Sequence, residues 1–372
     1  MKKVGFVGWR GMVGSVLLNR MRQENDFHDI QASFYSTSTI GGQGPEINHS
    51  VHTLKDANNL HELAEMDIIV TCQGGDYTKA IYPRLRALNW KGYWIDAASA
   101  LRMNEEACIV LDPVNRSVID HALQKGIKTF VGGNCSITLS MMGLAGLLKE
   151  NVVEWMSLMT YQSASGAGAK QVKELLAQNK FVADQIQPKE LNHNAAILPL
   201  IEKTNMLINH QDLPKEAFGV PLVGNIIPWI DTDLHNGNSR EEWKGEVELN
   251  KILGLSAKTI AVNGLCVRVG VIRCHSAAIT MKLTHHIPEK RLIELITENN
   301  PWVQYIPNNL PDTLSRLMPA SVSGSLQVAV GRYKPMGFGD MPIYSVFTVG
   351  DQLLWGAAEP LRRMLCILLG KL

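Results

Sequence analysis

A glycine turn near the N-terminus constrains the fold more than any other feature of this chain. Lys3 to Val7 form an apolar run typical of a buried strand, Gly8, Gly11 and Gly14 follow it, and helical spacing of apolar residues begins at Val16. Glycines let a backbone approach a pyrophosphate, and a helix N-terminus attracts its charge. The spacing G-x-x-G-x-x-G differs from the commoner G-x-G-x-x-G. Strand, glycine turn and helix in this order nevertheless predict the first unit of a Rossmann-type dinucleotide-binding domain.

The end of the second predicted strand bears on which dinucleotide is bound. Residues 32 to 35 form this strand, and Ser36, Thr37 and Ser38 follow it without an Asp or Glu. An acidic residue there would hold the ribose hydroxyls of NAD. Hydroxyl groups, together with Arg10 from the glycine turn, suit a 2′-phosphate instead. The sequence therefore favours NADP over NAD.

The alternation of strands and helices changes half-way along the chain. Up to a strand at 128–131, buried strands end in polar loops that contain Gln73 and Arg102, which is where ligands bind in a doubly wound sheet. Longer alternating strands follow, which predict a mainly antiparallel sheet with helices on one face. We predict an α/β protein in which residues 1–133 and 357–372 form the NADP-binding domain. Residues 134–356 would form an α+β catalytic and dimerisation domain.

Cys135 is the candidate nucleophile. It follows an apolar strand, the pair Gly132 and Gly133, and Asn134, which is a favoured N-cap residue. A thiol in the first turn of a helix lies at the positive end of the helix dipole, which lowers its pKa and favours the thiolate. The alternative is a buried cysteine that acts as a small apolar side chain.

Several polar residues of the second half are further site candidates. In the strand 265–271 the aliphatic side chains occupy odd positions, so Arg268 projects from the opposite face. His275 follows a break between two strands and is either structural or catalytic. Ser239 and Glu242 have the spacing of a capping box at the start of a helix. Three residues apart on that helix, Glu241 and Lys244 form a weak surface ion pair unless their face borders a cleft.

Composition excludes several classes of partner. The 372-residue chain has 45% hydrophobic residues and a formal net charge of +1, so it offers no basic field to nucleic acid, and we expect small-molecule partners. Six cysteines are scattered without disulfide-scaffold or paired metal-site spacing, which indicates reduced thiols and no metal site. No apolar stretch is long enough to span a bilayer, and no signal peptide is recognisable. We therefore expect a cytoplasmic protein.

A cysteine nucleophile beside a nicotinamide cofactor indicates a particular chemistry. The sulfur adds to an aldehyde, hydride passes to the cofactor, and a thioester remains. His275 is the candidate general acid/base. Arg102 and Lys244 would let phosphate attack the thioester and form an acyl phosphate. Arg268 suits a substrate carboxylate and Glu241 an ammonium group, which together describe an amino-acid substrate.

The chain resembles aspartate-β-semialdehyde dehydrogenases of the Gram-negative bacterial type over nearly its whole length. The motifs that carry this resemblance are GWRGMVGS, TCQGGDYT, DAASALRM, FVGGNC, YQSASGAGAK, EEWKG, GLCVRVG with RCHS, and VGDQLLWGAAEPLRRML. The resemblance implies a homodimer that interconverts aspartyl phosphate and aspartate semialdehyde with NADP and phosphate. It also implies a role in diaminopimelate and lysine, methionine and threonine biosynthesis.

The resemblance assigns roles to individual residues. Cys135 would be the nucleophile, His275 the acid/base, and Gln162 a residue that orients the substrate. The substrate and phosphate contacts would be Arg268, Glu241, Arg102 and Lys244. Together with the glycine turn, it implies cofactor contacts at Gly8, Arg10, Gly11, Met12, Val13, Gly14, Thr37, Ser38, Gln73, Ser165, Gly166, Ala167, Gly168, Ala169 and Gln352. Ser136 stands where the family pattern has Thr, and the segment 185–196 departs from that pattern.

Two alternatives stay open at this point. One is a sister enzyme with the same chemistry, such as N-acetyl-glutamyl-phosphate reductase or phosphorylating glyceraldehyde-phosphate dehydrogenase, although an ammonium subsite at Glu241 argues against both. The other is a nucleotide-binding redox sensor that keeps Cys135 as an oxidisable thiol. The sequence identifies no resolving cysteine for such a sensor.

Overall fold

The computed structural model describes residues 1–256, 259–298 and 300–372. Its N-terminal part contains strands β1 Lys2–Val7, β2 Ile30–Ser36, β3 Gln43–Ile47, β4 Ser50–Thr53, β5 Lys55–Asp56, β6 Ile68–Thr71, β7 Tyr93–Asp96, β8 Ala107–Val110 and β9 Thr129–Gly132. The helices of this part are α1 Met12–Gln23, α2 Leu60–Ala64, α3 Gly75–Ala87 and α4 Asp112–Gln124. Seven strands form one sheet in the order β5-β2-β1-β6-β7-β9-β8, and every pairing is parallel. This sheet confirms the predicted Rossmann-type fold.

The predicted glycine turn links β1 to α1. Gly8 has a φ of +74°, in the left-handed region that favours glycine. A Cβ at Gly14 would overlap the carbonyl oxygen of Gly8, so the helix start can lie close to the strand end only without a side chain there. At the carboxyl end of β1, the glycine turn therefore exposes backbone that no side chain covers.

The C-terminal part is built on a second sheet. Its strands are β10 Val153–Gln162, β11 Ile226–Ile227, β12 Ala261–Asn263, β13 Cys266–Val269, β14 His275–Leu283, β15 Val303–Tyr305, β16 Val328–Pro335 and β17 Ile343–Gly350. Its helices are α5 Cys135–Lys149, α6 Ala169–Gln185, α7 Ile197–Ile208, α8 Arg240–Leu253, α9 Glu289–Thr297, α10 Leu310–Arg316 and α11 Pro319–Val322. The sheet runs β11-β13-β10-β14-β17-β16-β15, with β12 beside β10. Long antiparallel pairings of β14 with β10 and β17, and of β16 with β17, confirm a mainly antiparallel sheet.

Helix α5 begins at Cys135 and is the centre of the largest core. Its residues from Ser136 to Leu148 are all buried. A helix that is apolar on every side lies inside a protein because no face of it suits water. It packs with residues of β10, β14, β16 and β17, so the start of α5 is fixed relative to the second sheet.

The chain returns to the first sheet at its end. A π-helical turn at Leu354–Ala358 leads into α12, Glu359–Leu368, with Pro360 in its first turn. Leu361 and Leu365 of α12 belong to the same core as Phe6 of β1. Its basic residues make buried ion pairs, Arg362 with Asp26 at 2.9 Å and Arg363 with Asp112 at 2.6 Å.

Helix α7 is one of the helices that lie in segments for which the sequence predicted no element. Helix α7 has no buried residue, and Leu198, Ile201 and Met206 are exposed by 68%, 47% and 73%. The spacing of its apolar residues is that of a helix, but the polar residues before and after it made this spacing hard to recognise in the sequence.

Candidate active site

Cys135 lies where the first sheet meets the second. It follows β9 directly and begins α5, and the Asn134 side chain accepts hydrogen bonds from the backbone N–H of Ser136 at 3.0 Å and of Ile137 at 3.1 Å. The predicted N-cap is therefore present. Asn134 also donates to Glu241 at 2.8 Å, so the cap ties the cysteine turn to helix α8.

His275 contacts the sulfur. Its Nε2 lies 3.2 Å from Cys135 Sγ, and the backbone N–H of Ser163 donates to Nδ1 at 3.1 Å. Because that N–H can only donate, Nδ1 is an acceptor and a neutral ring carries its proton on Nε2. The imidazole therefore presents an N–H to the sulfur and to any atom bonded to it.

Burial has the largest effect on the pKa values of Cys135 and His275. Desolvation, and then the charge of Glu241, raise the pKa of the Cys135 thiol to about 11, although Arg102, Arg268 and Lys244 act in the opposite direction. The expectation of a lowered thiol pKa was therefore wrong for the ligand-free chain, because the cost of burying a thiolate exceeds the effect of the helix start. Desolvation and then the Arg268 charge lower the pKa of His275 to about 3, so the ring is neutral at physiological pH.

Gln162 and Arg268 lie side by side at the ends of two parallel strands. They are paired residues of β10 and β13. Gln162 Nε2 donates to Glu241 at 3.1 Å, and Arg268 Nη1 donates to the carbonyl of Ser163 at 2.7 Å. Ser163 thus bonds to Arg268 through its carbonyl and to His275 through its N–H, which fixes the two side chains relative to each other.

Helix α8 supplies the charged face of the site. Its capping box, formed by Ser239 and Glu242, is present as predicted. Glu241 and Lys244 are 8% exposed each and lie 3.0 Å apart, so they are not a surface pair but line the cleft. Lys244 also contacts Asp231 at 2.6 Å.

Arg102 reaches the site from the loop after β7. Its Nε donates to the carbonyl of Gly132 at 2.7 Å, and its Nη1 lies 3.2 Å from Glu248. Glu248 also accepts the backbone N–H of Asn134 at 2.6 Å. Arg102 is thereby held next to the turn that carries the cysteine.

These groups share one cavity of about 450 Å³. It is lined by Val13, Ala97, Ser99, Arg102, Asn134, Cys135, Gln162, Ser165, Gly166, Ala167, Ile230, Asp231, Glu241, Lys244, Arg268, Gln352, Leu353, Gly356 and Ala357. Five of the predicted cofactor residues, from Val13 to Gln352, therefore line the same cavity as the thiol. Gly166 must be glycine, because a Cβ there would lie 2.7 Å from His275 Cε1.

The remaining predicted cofactor residues lie at the end of β2, in the turn into α1 and at the start of α6. Arg10 Nη2 approaches Ser38 Oγ at 3.3 Å, and Gln73 Nε2 approaches Thr37 Oγ1 at 3.4 Å. Gly8, Gly11, Met12 and Gly14 form the turn into α1, and Gly168 and Ala169 begin α6. Gln352 accepts the N–H of Cys274 at 2.6 Å and bonds to Ser165, so it also supports the residue before His275.

The sequence interpretation missed three residues of the site. Ser163, Asp231 and Glu248 contact the predicted residues but were given no role, although Ser163 lies in the motif YQSASGAGAK. Glu248 could have been found, because it lies four residues after Lys244 on the same helix face. Asp231 and Ser163 lie in loops and give no such signal.

Both parts of this chain match domains of known protein families. Residues 3–122 match the model of the semialdehyde dehydrogenase NAD binding domain, and residues 144–355 match that of the semialdehyde dehydrogenase dimerisation domain. The aspartate semialdehyde dehydrogenase of Francisella tularensis is 44% identical over 99% of this chain and 100% of its own, with a TM-score of 0.94. The chain belongs to the aspartate semialdehyde dehydrogenase family. It is an oxidoreductase with an NAD(P)-binding domain, and this membership favours that family over the sister enzymes considered above.

More distant aspartate semialdehyde dehydrogenases share the fold. Enzyme II from Vibrio cholerae, solved in complex with ASA, is 21% identical over 100% of this chain and 98% of its own, with a TM-score of 0.81. The enzyme from Candida albicans, solved with NADP, is 16% identical over 100% of both chains, with a TM-score of 0.66. In the part of this chain that the structure describes, no helix is long and apolar enough to cross a membrane, and no cluster of three or more His, Cys, Asp or Glu could hold a metal ion.

Proposed function

We propose that the chain interconverts L-aspartate 4-semialdehyde, phosphate and NADP⁺ with 4-phospho-L-aspartate and NADPH through a thioester on Cys135. The observation that carries this proposal is the single cavity in which the thiol faces Arg102, Lys244, Arg268 and Glu241. The thiol suits the aldehyde, the cationic sites suit the phosphate and the substrate carboxylate, and Glu241 suits the substrate ammonium group.

Cys135 and His275 carry the chemical steps. In aldehyde oxidation Sγ bonds to the aldehyde carbon, and the thiol proton leaves to solvent. The Nε2–H of His275 is close enough to the sulfur to hydrogen-bond the oxygen that becomes charged in this addition, and it would act as an acid only if it passed that proton to the oxygen. A bound nicotinamide supplies the hydride chemistry. Phosphate then displaces the sulfur, and the products are the acyl phosphate and the free thiol side chain.

Two opposite charges select an amino-acid substrate. Burial lowers the pKa of Arg268, and no carboxylate among the described residues forms a salt bridge with it, so a substrate carboxylate would stabilise its charge. Although burial acts in the opposite direction, Lys244, Asn134 and Gln162 lower the pKa of Glu241. A charged Glu241 suits the substrate ammonium, and Gln162 orients the substrate between the two.

The first sheet fits NADP. The glycine turn lets the start of α1 lie close to the end of β1, because a Cβ at Gly14 would overlap the backbone of Gly8 and Trp9, and the helix N-terminus attracts a pyrophosphate. Arg10 lies within 3.4 Å of Ser36 and 3.3 Å of Ser38 at the end of β2, which is a suitable environment for a 2′-phosphate. Thr37 and Gln73 border the same edge.

We further propose the division into an NADP-binding domain of residues 1–133 and 357–372 and a catalytic and dimerisation domain of residues 134–356. Packing of α12 on the first sheet supports this division. A homodimer is supported by the dimerisation-domain match and by the exposed apolar side chains of α7. Unpaired cysteines are consistent with a cytoplasmic enzyme of lysine, methionine and threonine biosynthesis.

A direct assay tests the reaction. Protein, aspartate semialdehyde, NADP⁺ and phosphate are mixed, and NADPH absorbance is followed. We expect turnover that requires phosphate and that is lost in Cys135→Ala but kept in Cys366→Ala, a buried cysteine of α12. Absence of NADPH formation with saturating substrates would contradict the proposal.

Two further variants separate binding from chemistry. Arg268→Leu should raise the KM for the aldehyde at least about tenfold, because the substrate carboxylate loses its partner. His275→Asn should lower kcat by roughly 10²- to 10⁴-fold with a modest change in KM. Equal kinetic constants in Arg268→Leu and wild type would remove Arg268 from the substrate site.

A further inference from the structure

The charge balance around Arg102 and Lys244 is unfavourable for an incoming phosphate. Arg102 faces Glu248, and Lys244 faces both Glu241 and Asp231, so three carboxylates surround two cations. Arg268 lines the same cavity and balances the third carboxylate, but both cations that would bind phosphate are already paired, so a phosphate dianion must compete with these carboxylates. One carboxylate must therefore be neutralised or move before the cations can bind phosphate strongly.

Two of the three carboxylates are fixed. Glu248 is 2% exposed and is held by Arg102 and by the backbone N–H of Asn134. Glu241 is 8% exposed and accepts hydrogen bonds from Asn134, Gln162 and Lys244. Moving either one would leave several buried donors without an acceptor, which costs roughly 1–3 kcal/mol for each donor.

Asp231 differs from both. Its side chain is 28% exposed, and beyond Lys244 it contacts only the N–H of the next residue, Thr232, at 2.8 Å among the described residues. It has a φ of +72° and stands between β11 and a hairpin that is tied to α8 by the Arg240 N–H to Thr232 carbonyl bond of 2.8 Å. Hydrogen bonds from Lys244 and Thr232 lower the pKa of Asp231 although burial acts in the opposite direction, so it is charged at neutral pH.

We propose that Asp231 is an exchangeable carboxylate that occupies Lys244 in the absence of phosphate and gives up this contact when a phosphoryl group binds. The inference rests on the proposed role of Lys244 as a phosphate ligand. Asp231 keeps Lys244 paired and in position in the free enzyme, and its competition weakens phosphate binding. Weak binding favours release of phosphate after the acyl phosphate has reacted with the thiol.

Titration calorimetry with inorganic phosphate tests the exchange on the full chain. Asp231→Asn keeps the shape and an acceptor oxygen but removes the charge, so the Kd for phosphate should fall about fivefold, the usual worth of a part-exposed ion pair. Asp231→Ala, as a second variant, should also bind phosphate more tightly. Asp233→Asn is the matched control, because Asp233 lies two residues after Asp231 and its only ion pair among the described residues is with the exposed His235, so the Kd of this variant for phosphate should equal that of wild type.

Lys244→Ala separates the two proposals. Phosphate binding that is lost in Lys244→Ala, together with an unchanged or higher Kd in both Asp231 variants, would overturn the exchange and leave the phosphate site in place. Phosphate binding that is unaffected by Lys244→Ala would overturn both. Unfolding temperatures of all variants within a few degrees of wild type establish that the changes in Kd are local.

Discussion

At the scale of single residues, the sulfur of Cys135 is stabilised in its neutral form until a ligand arrives. Burial raises the thiol pKa to about 11, and the adjacent His275 is neutral because burial lowers its pKa to about 3. To form a thiolate and imidazolium pair, the proton would have to leave a thiol whose pKa is raised and bind an imidazole whose pKa is lowered. The protonated thiol therefore dominates at neutral pH, and a protonated thiol is oxidised less readily than a thiolate.

The pH dependence of alkylation tests this state. A raised thiol pKa means that the protonated form dominates below about pH 11, so the thiolate fraction of the free enzyme should rise about tenfold per pH unit between about pH 7 and about pH 9. The rate of iodoacetamide labelling at Cys135, measured by peptide mass spectrometry, should follow this rise. Cys135→Ala identifies labelling elsewhere. A plateau below about pH 8 would show that the helix start and the three cations outweigh burial.

Residues whose role depends on near neighbours in the sequence were predictable. Asn134 was recognised as a cap because a cap needs only the next few N–H groups. The raised thiol pKa was not predictable, because it depends on burial by elements more than 100 positions away, such as β14 and α8. Asp231 and Ser163 were missed for the same reason, since their partners are distant in the chain.

At the scale of elements, α8 arranges most of the charge in the site. Glu241, Lys244 and Glu248 lie on one face of this helix, and its capping box sets where that face begins. The capping-box spacing could be recognised in the sequence, and the structure confirms it. The sequence did not show which residues this face meets across the cleft, because the pairing of β10 with β13 and β14 brings those residues together.

Removing the cap of α8 should affect both stability and binding. Ser239→Ala should lower the free energy of unfolding by about 1 kcal/mol and raise the KM for phosphate, because the start of the helix that carries Glu241 and Lys244 loses its anchor. Urea denaturation and steady-state kinetics measure the two effects. Asn309→Ala removes the cap of the remote helix α10 and should change stability alone. An unaltered KM in Ser239→Ala would mean that the other contacts of Glu241 suffice to position it.

At the scale of the whole molecule, two sheets meet at the start of α5, and α12 closes the structure by packing on the first. The parallel sheet was predictable because each strand, turn and helix follows the next in sequence. The strand order of the second sheet was not, since β10 lies between β13 and β14, two consecutive strands that follow it by more than 100 residues. Helix α7 was missed because a helix without a buried face has no partner that its pattern must match.

The last helix should contribute strongly to stability. Leu365 is 1% exposed in the core that includes Phe6, so Leu365→Ala should lower the free energy of unfolding by about 2–5 kcal/mol through the cavity it leaves. Tryptophan fluorescence during urea denaturation measures the loss. Leu372→Ala is the control, because that side chain is 44% exposed and should change stability little. A loss of less than about 1 kcal/mol in Leu365→Ala would show that α12 is not integral to the first core.

The packing of α12 on the first sheet also makes the completion of that sheet's core a long-range event in folding. Helix α12 contacts β7, β8 and β9, and more than 200 residues separate it from each of these strands. Closing so long a segment costs chain entropy before the packing repays it, so this part of the core forms late. A chain in which α12 has detached would expose the apolar side chains that it covers and would be open to aggregation and proteolysis.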